Sequence, residues 1–142
     1  SHTSQVIKNI FFRKTCTFFA YIKKLLQLDN NLCKNYNRLI ISEGIMIKVL
    51  FVCLGNICRS PMAQIVFENM IKERGIENNF EVDSAGTEGY NEMCHADIHY
   101  GTRKILTAMH VPFEEHYSRR IRPSDYAYYD YILAMDDSNI EF

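Results

Sequence analysis

The sequence predicts an α/β domain, a parallel sheet with helices on both faces. Two observations carry that expectation. Short apolar runs rich in β-branched and aromatic residues recur at residues 47–53, 80–83 and 131–135. Segments with helically spaced apolar residues fall between them. Alternation of the two at these lengths argues parallel strands joined by helical crossovers.

Taken in order, residues 47–53 (IKVLFVC) suit a strand buried on both faces, because such strands read as continuous apolar runs. Leu54-Gly55-Asn56 ends the run, and Gly and Asn tolerate the positive φ of a tight turn. Ser60-Pro61 reads as a helix start with Pro at the first helical position. Met62, Ile65, Val66, Met70 and Ile71 then share one helical face, and Gly75 predicts the stop. A second strand over residues 80–83 closes at Ser84-Ala85-Gly86. A polar loop with Tyr90 and Asn91 follows, then a helix over residues 97–110 with Ile98, Ile105, Leu106 and Met109 on its core side. The third strand, residues 131–135 (YILAM), ends at Asp136-Asp137-Ser138-Asn139.

The totals agree with one packed domain. The chain has 142 residues, 47% hydrophobic and 23% charged. A net charge of −1 gives no pull toward nucleic acid or anionic membrane. No apolar run reaches the roughly 18 residues of a spanning helix. Five cysteines at irregular spacing (Cys16, Cys33, Cys53, Cys58, Cys94) argue against a secreted disulfide framework and for a reducing, cytoplasmic setting.

Residues 1–45 differ from the rest. About half are Ile, Asn, Lys, Phe or Tyr, and the segment is basic. One reading is an amphipathic helix over residues 11–28 lying on a membrane or partner. The other is a translated upstream leader, since A/T-rich codons encode these residues and Met46 directly precedes the first strand. Met46 is the expected natural start, and membrane contact is expected only if the leader is genuine.

The chemistry concentrates in Cys53-Leu54-Gly55-Asn56-Ile57-Cys58-Arg59-Ser60-Pro61. A loop wrapped on a helix N-terminus turns several backbone N–H groups inward and forms a nest for a tetrahedral dianion. The amides of Leu54, Gly55, Asn56, Ile57 and Cys58 are the candidates to line it. Cys53 lies at its mouth, where the positive field favours the nucleophilic thiolate. Arg59 closes the loop with a planar fork suited to two phosphoryl oxygens. Ser60 is placed to donate a hydrogen bond to the sulfur. No metal or other cofactor is required by this design.

The run from Val49 to Ala63 resembles the signature of the low-molecular-weight protein-tyrosine phosphatases. The resemblance continues through Asp83-Ser84-Ala85-Gly86, Gly101-Thr102-Arg103 and residues 130–136, so it covers about residues 46–142. It implies a flavodoxin-like layering and hydrolysis of phosphotyrosine or an aryl phosphomonoester through a phosphocysteine on Cys53. By the same resemblance Asn56 holds the loop, Ser60 tunes Cys53, and Ser84 and Asp136 are mainly structural. Tyr90 falls where the family keeps an aromatic residue at the cleft rim, and an ordinary exposed tyrosine is the equal alternative. Cys58 is either a partner for a protective disulfide with Cys53 or a small side chain under the loop.

One part of the pattern is missing. The family protonates its leaving group with an Asp in an Asp-Pro-aromatic motif. Here Pro occurs at positions 61, 112 and 123, and none follows Asp. The expectation is a chain that stops before the family's last strand and helices, weak in stability and catalysis. Arsenate reductases of the same fold need two further cysteines downstream, where only Cys94 stands. Protein-arginine phosphatases of the fold carry Thr at the pocket-sizing position of Ile57, so Ile57 favours an aryl phosphate. A non-catalytic oxyanion-binding module is the alternative of a different class.

Overall fold

The computed structural model describes residue 44 and residues 46–140. The expected leader, with its candidate helix over residues 11–28, lies outside the described residues, Gly44 apart. The elements are β1 (Ile47–Cys53), α1 (Arg59–Glu73), β2 (Phe80–Gly86), α2 (Tyr90–Met93), α3 (Tyr100–Ala108), α4 (Pro123–Tyr128) and β3 (Tyr131–Ala134). Single 3-10 turns occupy Glu77–Asn79 and Asp137–Asn139.

The strands form an open parallel sheet in the order β2-β1-β3. β1 pairs with β2 from Ile47↔Phe80 to Cys53↔Gly86, and with β3 from Val49↔Tyr131 to Val52↔Ala134. Central position explains its apolar run from Val49 to Cys53. Val49, Phe51 and Cys53 face α1, where they meet Ala63, Phe67 and Ile71. Leu50 and Val52 face the other way, toward Ile121 and the partly buried Tyr126 of α4. Both faces are therefore covered, as the sequence predicts.

Phe67 is the hinge of the α1 face. Its ring packs edge-on against Phe51 at 5.8 Å and Phe80 at 5.5 Å between centroids, a favoured aromatic geometry. Helix α1 begins at Arg59, so Pro61 is its third residue and not its first; its missing N–H is one of those no helix start can satisfy internally. Gly75, at φ 68°, makes the left-handed stop. Strand β2 extends past Asp83 to Gly86, and the expected loop at Tyr90 is a short helix.

Helix α3 is shorter than predicted, and two of its expected core residues are exposed: Ile105 at 48% and Met109 at 49%. The reason is its neighbour. Ile98 and Leu106 join a cluster with Ile65 and Val66 of α1 that contains no strand residue. A helix resting on another helix buries a narrow stripe, here Thr102 and Leu106 one turn apart. The short α4 was not expected from periodicity. Residues 119–121 run beside the end of β2, bridging Gly86 through Gly86 N–H to Arg119 O and Ile121 N–H to Gly86 O, both 2.8 Å.

Phe67→Ala is expected to lower unfolding free energy by about 3–5 kcal/mol. Ile105→Ala should change it by no more than about 0.5 kcal/mol. Urea denaturation of the two variants checks the assignment of core and surface.

Candidate active site

The chain leaves β1 at Cys53 and re-enters regular structure at Arg59, so residues 54–58 form the turn between strand and helix. Five consecutive carbonyls, from Cys53 at its entry to Ile57, are held from outside. Cys53 O accepts from Thr87 N–H at 2.9 Å and Leu54 O from Glu88 N–H at 3.0 Å. Gly55 O accepts from the Asn91 carboxamide at 2.9 Å and the Ser118 hydroxyl at 3.0 Å. Asn56 O accepts from His116 Nε2 at 2.8 Å, which fixes that nitrogen as the protonated one, since a carbonyl can only accept. Ile57 O accepts from His99 N–H at 2.7 Å. In a planar trans peptide the N–H points opposite to the C=O. The amides of Leu54, Gly55, Asn56, Ile57 and Cys58 are thus turned away from these partners, and that of Asn56 reaches Cys53 Sγ at 3.3 Å.

Asn56 holds the turn together. It is fully buried and left-handed, at φ 52°. Its Oδ1 accepts from the Arg119 backbone N–H at 2.9 Å, which settles the orientation of the amide. Its Nδ2 donates to both Ser60 Oγ and Ser84 Oγ at 2.9 Å. Each hydroxyl, having accepted, passes its own proton on. Ser84 donates to Gln64 Oε1 at 2.7 Å. Ser60 Oγ sits 3.0 Å from Cys53 Sγ, where either atom can donate, and 3.4 Å from Ala85 O, which can only accept. Cys53 is 3% exposed.

Gly55 serves differently from the expectation. Its φ is not positive; only Asn56 uses the left-handed region here. A Cβ on Gly55 would instead lie 2.7 Å from the Asn91 amide, so glycine is needed for close approach.

Arg59 binds the Asp136 carboxylate at the end of β3 through Nη1. Partial burial works against the Asp136 carboxylate, but Arg59 and the Ser138 hydroxyl outweigh it and hold its pKa below the ordinary range. Asp136 therefore does more than terminate a strand: it fixes one end of a guanidinium that carries five donors. Leu54 is 46% exposed, Ile57 and Cys58 are half-buried, and Cys53 and Cys58 are free thiols. Tyr90 is 73% exposed on α2; its neighbour Asn91, not Tyr90 itself, contacts the turn.

A second layer secures these contacts. Arg119 bonds Asp83 and Asp125, each at 2.9 Å. Burial acts to discharge Arg119, and the two carboxylates override it, keeping the guanidinium charged. Burial likewise pushes Asp125 up, but Arg119 and the Arg122 backbone N–H hold it below its ordinary 3.8. Gln64, Asn91, His99, His116, Ser118 and Arg119 were not singled out by sequence. Ser118 is buried at 4% exposure, with His116 and Arg119 partly buried beside it; burial is set by the fold, so the sequence carries no signal for these residues.

The sequence matches the family described as low molecular weight phosphotyrosine protein phosphatase over residues 48–142. It is 43% identical over 95 residues to low molecular weight protein-tyrosine-phosphatase YfkJ of Bacillus subtilis, covering 67% of this chain and 60% of the relative. It is 45% identical over 92 residues to the Homo sapiens low molecular weight phosphotyrosine protein phosphatase, covering 65% and 56%. The crystal structure of YfkJ superposes with TM-score 0.63 over 69% of this chain and 60% of that one. A drosophila arginine phosphatase, DARP, superposes with TM-score 0.60 at 35% identity, over 66% and 57%. The chain thus spans 56–60% of the length of the curated relatives named here.

Because Asp125 is more acidic folded than unfolded, its stabilisation is complete above 3.8 and lost as pH falls through the lower folded value. Urea midpoints between pH 7 and about pH 3 should fall less steeply for Asp125→Asn than for the parent, from a lower starting stability.

Proposed function

The chain belongs to the low molecular weight phosphotyrosine protein phosphatase family, and from that premise we propose that it hydrolyses phosphotyrosine and small aryl phosphates through a phosphocysteine on Cys53. The observation that carries the proposal is the turn of five anchored carbonyls around a thiol that receives an N–H from Asn56 and lies 3.0 Å from the Ser60 hydroxyl.

In the first step the Cys53 thiolate attacks phosphorus, an S–P bond forms and the P–O bond to the aryl group breaks. The charge that builds on the equatorial oxygens is met by the amides of Leu54, Gly55, Asn56, Ile57 and Cys58 and by Arg59, prepositioned by Asp136. The aryl oxygen departs with the bonding pair. A nitrophenolate leaves readily without a proton; a tyrosine phenolate leaves about 10²–10⁴-fold more slowly without a general acid, and the 142 residues contain no Asp-Pro pair to supply one. In the second step water attacks phosphorus, the S–P bond breaks and inorganic phosphate is released. Ser60 then stabilises the departing thiolate through its hydrogen bond. Tyr90, on the element that abuts the turn, offers a face for the substrate ring.

Rapid mixing with p-nitrophenyl phosphate should give a burst of nitrophenol that Cys53→Ser abolishes, whatever the later turnover. Equal release by parent and Cys53→Ser would remove the proposal. Phosphoarginine is the informative competitor, given the likeness to DARP. Faster Cys53-dependent hydrolysis of phosphoarginine than of aryl phosphate would shift the substrate class, against the size of Ile57.

Cys58 is five residues from Cys53 in the same turn, and we assign it the resolving role in a reversible disulfide. A reducing compartment such as the cytoplasm keeps both thiols available. After peroxide treatment, dithiothreitol should restore the burst in the parent and not in Cys58→Ser. Equal recovery of both would return Cys58 to a packing role.

A further inference from the structure

Helix α2 borders two concavities. On one side Asn91 reaches the nucleophile turn; on the other, Glu92 lines a cleft of about 460 Å³ with Thr87, Arg120, Arg122, Pro123 and Tyr126. The cleft reaches the backbone at the end of β1, where the Thr87 N–H is bonded to Cys53 O at 2.9 Å. Arg122 Nη2 is paired with Glu92 Oε1 at 3.0 Å, so those two charges offset one another. Arg120 is exposed and has no ion-pair partner among the described residues. Its stem crosses the turn just before Tyr90, with Cδ 3.4 Å from where a Cβ on Gly89 would sit. The Glu88 carboxylate on that turn does not line the cleft. The cleft therefore presents one uncompensated positive charge over an apolar wall, one helix away from the thiol.

We propose that this cleft is a specificity subsite for an acidic side chain flanking the phosphotyrosine, with Arg120 as the residue that reads it. The inference rests on the phosphatase reading above. A peptide whose phosphorylated ring enters past Tyr90 lies across α2, and its neighbouring residue then falls over the cleft. Glutamate fits both parts: its methylenes lie on Pro123 and Tyr126, and its carboxylate pairs with the Arg120 fork. Glutamine has the same shape without the charge, so comparing the two isolates the ion pair.

The test uses two phosphotyrosine peptides that differ only in Glu or Gln beside the phosphotyrosine. The ratio of their kcat/KM values is measured in the parent, Arg120→Ala and Arg120→Glu, and their relative affinity is measured by fluorescence anisotropy on the Cys53→Ser background. The parent should favour the Glu peptide about fivefold at low salt, the scale of one solvent-exposed ion pair. That ratio should shrink as salt is raised. It should fall to about one in Arg120→Ala and invert in Arg120→Glu, as expected when one ion pair is removed or its sign reversed. A ratio unchanged in Arg120→Glu, or a parent that does not distinguish the peptides, overturns the subsite. If p-nitrophenyl phosphate gives no Cys53-dependent burst, the underlying phosphatase reading fails instead. Because each ratio is internal to one variant, partial loss of folded protein does not alter it.

Discussion

The surroundings of Cys53 depend on one buried carboxamide. Asn56 spends both donors and its side-chain acceptor on three partners from three parts of the chain, Ser60, Ser84 and Arg119, while its backbone binds Cys53 and His116. A buried polar group left unpaired costs about 1–3 kcal/mol, so a turn in any other conformation would forfeit several such bonds together. Complete satisfaction is what makes the arrangement unique: each bond orients the next, and the chain of bonds runs from the carboxamide to the sulfur through Ser60 on one side and to Gln64 through Ser84 on the other. Left-handed φ at a residue with a Cβ is tolerated because these contacts over-determine it.

The sheet supplies the platform for this. β1 delivers Cys53 at the carboxyl end of a strand enclosed on both faces, the place where open α/β sheets present ligands. The two flanking strands each lead to an electrostatic fixture. Asp83, midway along β2, holds Arg119, and Asp136, just past the end of β3, holds Arg59. The bridge between Gly86 and Arg120 joins the first of these to the segment that carries Ser118 and His116. Gly86 cannot be replaced cheaply: an added Cβ would stand 2.8 Å from Leu54 O, pressing on the turn itself.

The turn after Cys53 and its strand were legible because their signal is contiguous. An apolar run, a Gly-Asn turn and a Ser-Pro helix start lie within residues 47–61, and the geometry they encode is local. The donors that anchor the turn were not legible for the opposite reason. Asn91, His116 and Ser118 each act through one atom on a backbone carbonyl 36 to 63 residues away, and the donors of Thr87, Glu88 and His99 are backbone N–H groups with no residue signature at all. Ile105 and Met109 were misplaced because helical spacing names a face but not its width, and α3 leans on a helix rather than on the sheet. Helix α4 has its Pro start, Pro123, and an acidic first turn, Asp125, but at six residues it is too short to show a period.

The long separation of those donors also imposes an order on assembly. Ser118 and the Arg119 amide lie 63 residues beyond the groups they bind in the turn, and His116 lies 60 beyond. During synthesis Cys53 emerges well before them, on a loop whose closure must precede any of these bonds. Strand β1 and helix α1 can be present in a nascent chain while the turn between them still lacks its anchors. Until Arg119 has cleared the ribosome the turn around the thiol lacks its distant anchors, so the fixed form of that turn is a late product of translation.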